Sequence, residues 1–205
     1  SVPQFTFYEN FNSGMPATWT VTDNNSSGIV WEASDIGPGG YTLDDYDGLF
    51  AIITSYSNTF PNTDLISPSI DLSNYSSATL YYNFNYQDFA LNPTDSGLVY
   101  ISGDGGSTWT LMNAYGAADT PPGGINAILP DSASLNSVVG SSDVKIKFHY
   151  EVVSGESWFF SVDDIIVIGT DTSGSRDMTG STVNTFDTYI PGNTHTMEFS
   201  LNIQA

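Results

Sequence analysis

The sequence predicts an all-β protein, an antiparallel jelly-roll β-sandwich with an extra C-terminal strand after a linker. Three observations predict it. Short aromatic and β-branched runs recur along the chain, cut by Gly, Pro, Asn and Asp. Ala, Leu, Glu, Lys and Arg are scarce, and no apolar pattern of helical period is sustained. The 205 residues are 40% hydrophobic and 14% aromatic with no cysteine, so the chain can bury a sizeable core without disulfides.

Taken in order, the runs place strands near Phe5–Phe11, Thr18–Val21, Val30–Ala33, Leu49–Ser55, Asp64–Leu72 and Ala78–Tyr86. Further strands follow near Gly97–Ser102, Thr108–Asn113, Asn126–Leu129, Val144–Tyr150, Trp158–Ser161 and Asp164–Ile168. So many short strands at this spacing mean a sandwich or jelly roll. Ala114–Ser142 reads as loop-rich, with a dense turn at Pro121, Pro122, Gly123 and Gly124. No repeat of solenoid or propeller length is present. Composition changes near Gly169. The expected organisation is a sandwich over residues 1–170, a Thr/Ser/Gly/Asp/Asn linker over 171–193, and a strand over 194–205. In that strand Met197, Phe199, Leu201 and Ile203 fall on one face, and Glu198, Ser200, Asn202 and Gln204 on the other.

Charge excludes several function classes. With 3 Lys+Arg against 23 Asp+Glu, the net charge is −20. A nucleic-acid partner needs cations to neutralise phosphates, and an anionic membrane surface needs a basic patch. No apolar run approaches the roughly 20 residues of a membrane helix, so no membrane insertion is expected. The aromatic content excludes low-hydrophobicity disorder. A Lys-poor exterior of Ser, Thr, Asn, Gly and Asp points to an extracellular or cell-surface protein whose signal peptide has been removed.

Five segments in order carry a resemblance. The first is Phe7-Tyr8-Glu9-Asn10-Phe11, then Gly14-Met15-Pro16, Trp19 and Asp23. The second is Tyr46-Asp47-Gly48-Leu49-Phe50-Ala51, and the third is Asp64-Leu65-Ile66-Ser67-Pro68-Ser69-Ile70-Asp71-Leu72, with Asp64 where a Trp is usual. The aromatic strand Ala78–Tyr86 is the fourth, and Val144–Tyr150 with Ser157-Trp158-Phe159-Phe160-Ser161-Val162-Asp163-Asp164-Ile165 closes the series. Together they resemble the cleaved-adhesin or "choice-of-anchor J" jelly-roll domains, MAM-like modules of bacterial surface and secreted proteins. The resemblance implies a structural Ca2+ held by Glu9, Asp47 and one of Asp163 or Asp164. Calcium takes hard oxygen ligands, and carboxylates at adjacent strand ends repel unless a cation lies between them. Asp23 and carbonyls of the 37–47 loop are further candidates. The alternative is that Asp163 and Asp164 face solvent.

Other motifs say less about activity. Ser102, Asp104, Gly106 and Trp109 match the Asp-box pattern S-x-D-x-G-x-T-W, a hairpin in which Asp caps the turn and Trp buries beneath it. His149 alternates onto one face with Lys145 and Lys147, which suits charge pairing better than general-base work. His195 lies in the polar approach to the last strand. Two separated His and no Cys supply no zinc set. No nucleophile elbow, P-loop or dinucleotide fingerprint appears, and no catalysis is expected. Asn24, Asn25 and Asn74 are N-x-S/T glycosylation acceptors. Trp31, Tyr41, Tyr46, Tyr56, Tyr115 and Trp158 are candidates for a sugar-stacking platform; the alternative is core packing.

The C-terminal strand bears most on function. Burying its four apolar residues contributes about 6–12 kcal/mol gross, and exposed it is an aggregation hazard. It either completes its own sheet or docks into a neighbour by strand addition. The leading expectation is therefore a non-catalytic extracellular filament or appendage subunit, a homo-oligomer or polymer through Met197, Phe199, Leu201 and Ile203. The alternative is an adhesin-type carbohydrate- or protein-binding module of a larger secreted protein, with a glycan as candidate ligand.

Overall fold

The computed structural model describes residues 3–43, 46, 48–55, 59–88, 94–119, 127–153 and 157–171. The chain divides at Gly174 into two units, and every described residue lies in the first. The predicted strand of 194–205, with Met197, Phe199, Leu201 and Ile203, lies outside the described residues, as does the linker beyond Asp171.

Eleven strands run β1 Pro3–Glu9, β2 Thr20–Asp23, β3 Glu32–Ser34, β4 Phe50–Thr54, β5 Asn62–Ile66, β6 Tyr75–Asp88, β7 Ser96–Ser102, β8 Thr110–Tyr115, β9 Leu129–Ser134, β10 Lys145–Glu151 and β11 Ser157–Asp171. They form two antiparallel sheets in a jelly-roll sandwich. The first has the order β3-β4-β11-β6-β9, with β1 pairing β11 as well. The second has the order β2-β5-β10-β7-β8. Strands β4 and β1 both pair with β11 but at different heights. β4 takes Val162 down to Phe159, and β1 takes Ile165 up to Thr170.

Alternation decides the interior. In β10 Ile146, Phe148 and Tyr150 are buried while Lys145, Lys147, His149 and Glu151 are half-exposed. In β6 Leu80, Tyr82, Phe84 and Tyr86 enter the core. β4 is the exception, because Phe50, Ala51, Ile52 and Ile53 are all buried. Ala51 and Ile53 join the main core, whereas Phe50 and Ile52 join a second apolar cluster with Leu43 and Phe159 on the outer face of the first sheet.

Three stretches differ most from the sequence expectation. The run Asp64–Leu72 stops as a strand at Ile66, because Pro68 has no N–H to give the ladder; Ile70 then makes only an isolated bridge to Val144. The strand expected at Asn126–Leu129 is β9, Leu129–Ser134, inside the segment read as loop. Trp158–Ser161 and Asp164–Ile168 are one 15-residue strand, joined through a bulge.

Candidate binding face

That bulge organises the outer face of the first sheet. Asp163 pairs with Asn83 and Ile166 with Tyr81, so two β11 residues, Asp164 and Ile165, stand against Tyr82 alone. Asp164 takes a left-handed backbone, φ 48°. The inward set is Phe160 and Val162 before the bulge, then Ile165 and Val167 after it. The outer face is thereby divided into two halves of different character.

The half beside β4 is covered. Leu43 packs on Phe50, Ile52 and Phe159. Tyr46 stacks on Phe50 at 4.4 Å, and its hydroxyl meets Ser161 Oγ at 2.9 Å. At the rim Tyr41 is exposed and stands edge-on to Trp158, 5.8 Å between centroids and 86° between planes.

The half beside β1 is open. Tyr8, Ile166, Tyr81 and Ser132 lie directly opposite one another across β1, β11, β6 and β9. Phe5, Ile168, Thr79 and Ser134 form the next row. Tyr8 is 53% exposed, Tyr81 44% and Phe5 43%. Asp164 is held between two neighbours: Tyr8 Oη donates to its Oδ1 at 3.3 Å and Asn83 Nδ2 to its Oδ2 at 3.1 Å. Partial burial first, then the Asp164 charge, pushes the Tyr8 hydroxyl up to about 12. No motif marks Tyr8, Tyr81 and Asn83 as one surface in the sequence. The available signal was parity: with Leu80, Tyr82 and Phe84 inward, Tyr81 and Asn83 must face out.

Of the calcium candidates, Glu9, Asp163 and Asp164 lie on adjoining strands at this bulge. Glu9 ends β1 opposite Ile165, next to Asp163 and Asp164. Its Oε1 accepts the Phe11 N–H at 2.8 Å. Asn12 Oδ1 accepts the Leu49 N–H at 2.8 Å, which ties the chain after β1 to the approach to β4. Gly48 permits that approach, since φ is 101° and a Cβ there would fall 1.9 Å from Asn12 Oδ1. Asp47 itself lies outside the described residues. Asp163 is buried within β11. Asp164 accepts from Tyr8 and Asn83. The donor set of Glu9 and Asp163 is all hard oxygen and fits calcium in kind, while among the described residues no group of three His, Asp or Glu is placed to hold a metal. Asp23 is elsewhere employed: its carboxylate accepts N–H groups of Asn25, Ser27 and Gly28, at 3.3, 3.1 and 2.8 Å, and caps that turn.

The aromatic platform is corrected in its membership. Trp31 is buried against Phe160, and Tyr115 is buried, stacked on Phe84 and bonded to Asp131. Both fill the interior rather than meet solvent. Tyr56 lies outside the described residues. Tyr41, Tyr46 and Trp158 gather at the covered half.

The Asp-box segment forms the turn between β7 and β8. Asp104 accepts from Ser102 Oγ at 2.7 Å, Thr108 N at 2.9 Å and Thr108 Oγ1 at 2.6 Å, and Gly106 N donates to Ser102 Oγ at 2.8 Å. Trp109 is half-buried rather than buried, and the Lys147 ammonium lies over its ring at 4.6 Å and over Tyr100 at 4.8 Å. His149 Nδ1 meets Asp64 Oδ1 at 2.6 Å on that second-sheet face. Asn24 and Asn25 are exposed, with Nδ2 donating to Asn62 Oδ1 at 3.0 Å and to the Phe60 carbonyl at 2.7 Å; Asn74 is exposed in a turn.

No family model and no curated protein matches the chain. Solved structures do. The K3 cleaved adhesin domain of Lys-gingipain from Porphyromonas gingivalis W83 superposes with a TM-score of 0.63 at 18% identity, over 82% of this chain and 99% of that one. The K1 cleaved adhesin domain of the same protein gives 0.59 at 18% identity, over 82% and 98%. TmCBM61, solved in complex with β-1,4-galactotriose, gives 0.54 at 12% identity, over 78% and 93%. The chain therefore has a cleaved-adhesin-like jelly-roll fold, which is also the sandwich fold of a carbohydrate-binding module. No helix among the described residues is long and apolar enough to cross a membrane. The filament reading finds no support in these likenesses.

Proposed function

We propose that this chain is a non-catalytic, adhesin-type binding module of a secreted or surface protein, and that its ligand is carbohydrate. The observation that carries the reading is the open half-face of the first sheet. Exposed tyrosines there stand among Asn, Asp, Ser and Thr side chains on a rigid sheet. Sugars are bound by such mixtures, with ring faces on aromatics and hydroxyls on planar polar groups. The shared fold with TmCBM61 supports the reading. The test is a glycan array probed with the labelled full chain, followed by depletion on insoluble polysaccharides. Retention by at least one glycan, reversed by the free sugar, is the expected result. A chain that no glycan retains is not a carbohydrate-binding module.

Glu9, Asp163 and, from outside the described residues, Asp47 would hold a structural Ca2+, neutralising carboxylates that otherwise repel. Calcium is then expected to raise Tm and a chelator to lower it, with Asp163→Asn removing the difference. Equal Tm in calcium and in chelator would refute the site.

A further inference from the structure

We infer that the ligand is an uncharged, extended glycan lying across the strands from Tyr8 to Tyr81, with its hydroxyls read by Asp164 and Asn83. The inference rests on the carbohydrate reading and names the ligand class and its path.

The path follows from register. Tyr8, Ile166 and Tyr81 are direct partners on three successive strands. Neighbouring strands lie about 4.8 Å apart, so the two tyrosines are separated by about 10 Å. That is the length of about two pyranose units of an extended chain, so alternate sugars meet the two phenols and the sugar between them lies over Ile166. Asp164 and Asn83 stand one step along the strands beside this row, already joined to each other and to Tyr8. A planar carboxylate and a planar amide held in place can receive and give hydrogen bonds to sugar hydroxyls with little ordering cost. On the far side the next row runs Phe5, Ile168, Thr79 and Ser134, apolar at the β1 end and polar toward β9. The left-handed backbone at Asp164 is an uncommon conformation for a residue other than Gly, and it sets this carboxylate beside the row.

The ligand's charge follows from the protein's. The chain carries −20, Asp164 lies in the face itself, and the described cations Lys145 and Lys147 lie on the other sheet. A uronate or sulfate polymer is repelled here. Two other groups of surface aromatics suit a chain less well. Tyr41 and Trp158 meet edge-on rather than in a row. On the second sheet, Lys147 covers Tyr100 and Trp109.

The experiment is calorimetric titration of the full chain, in calcium, with neutral β-1,4-linked gluco-, manno- and galacto-oligosaccharides from disaccharide to hexasaccharide, and with polygalacturonate and heparin. One neutral series is expected to bind, with affinity rising to about the tetrasaccharide and then levelling, and with little response to salt. Tyr8→Ala and Tyr81→Ala are each expected to weaken binding about tenfold or more, Tyr81→Phe to preserve it, and Asn83→Ala to weaken it less. Unchanged circular dichroism keeps a folding defect from being read as a binding defect. Binding that survives both alanine variants but is lost in Tyr41→Ala would overturn this path and leave the carbohydrate reading standing. A preference for the polyanions that salt abolishes would overturn the ligand class. A change of oligomeric state in Tyr8→Ala and Tyr81→Ala without change in glycan affinity would mean that a second protein surface covers the row. No binding to any glycan would remove the carbohydrate reading and this inference together.

Discussion

Asp104 shows how much one exposed side chain can organise. Hydrogen bonds from the Thr108 hydroxyl and N–H, with Ser102 behind them, hold its carboxyl down to about 2. A depressed carboxyl contributes stability that is present above its unfolded value and lost as pH falls through the folded one. The β7–β8 turn is therefore expected to hold until about pH 2. Carbon-detected NMR titration of Asp104 should show that midpoint, and Asp104→Ala should speed amide exchange at Thr108 while leaving β11 unaffected. Gly169 tests packing rather than charge. A Cβ there would lie 2.3 Å from Tyr75 Cδ1, within a ring that cannot yield cheaply. Gly169→Ala is expected to cost about 1–3 kcal/mol by urea denaturation. Full stability would show that Tyr75 swings clear.

The β5–β10 pair illustrates the element scale. His149 faces Asp64 directly across the ladder and bonds to it. Burial works to raise the Asp64 carboxyl, yet the bonds from His149 and Asn24 and the Lys147 charge bring it below its ordinary value. Its contribution is thus present at neutral pH and disappears in acid as the carboxyl protonates. His149→Ala is expected to cost about 1–2 kcal/mol at pH 7 and to flatten the acid limb of stability. An unchanged acid limb would place the acid sensitivity elsewhere. Strand β11 makes the complementary point. Its sequence reads as two strands because hydrophobic alternation breaks at Asp163-Asp164, and a bulge breaks alternation without breaking the strand. β9 was misplaced for a related reason: with only six residues, two of them Ser and one Pro, its identity depends on the edge of β6 it pairs with.

For the whole molecule, the decisive quantity is the number of buried phenols. Burial is the first cause raising Tyr82, Tyr86, Tyr115 and Tyr150 above the ordinary tyrosine range, and Tyr8 reaches about 12. The unfolded chain ionises its tyrosines near 10. A raised folded value gives stability that is complete below the unfolded value and is lost as pH rises toward the folded one. With only 3 Lys+Arg in the chain, lost ammonium charge adds little. Thermal melts are expected to be flat from neutral pH to about 9 and to fall steeply above about 10. A flat profile to about pH 12 would show that the phenols open to solvent without unfolding.

The sequence by itself determined the class, most of the strands and the inward residues, because period-two alternation and turn chemistry are local and set which face is buried. The Asp-box turn was legible for the same reason: the side-chain bonds of Ser102 and Asp104 reach no further than four residues. Parity alone could have put Tyr81 and Asn83 outside. Only the tertiary structure decided that Tyr8, Ile166 and Tyr81 form one row and that Trp31 and Tyr115 are interior. It also decided that one half of the sheet's outer face is roofed by Leu43 and Tyr46 while the other is open. The row depends on register between strands more than 70 residues apart in the chain. Register is fixed by a bulge and by pairing partners, and neither is written in any single stretch of sequence.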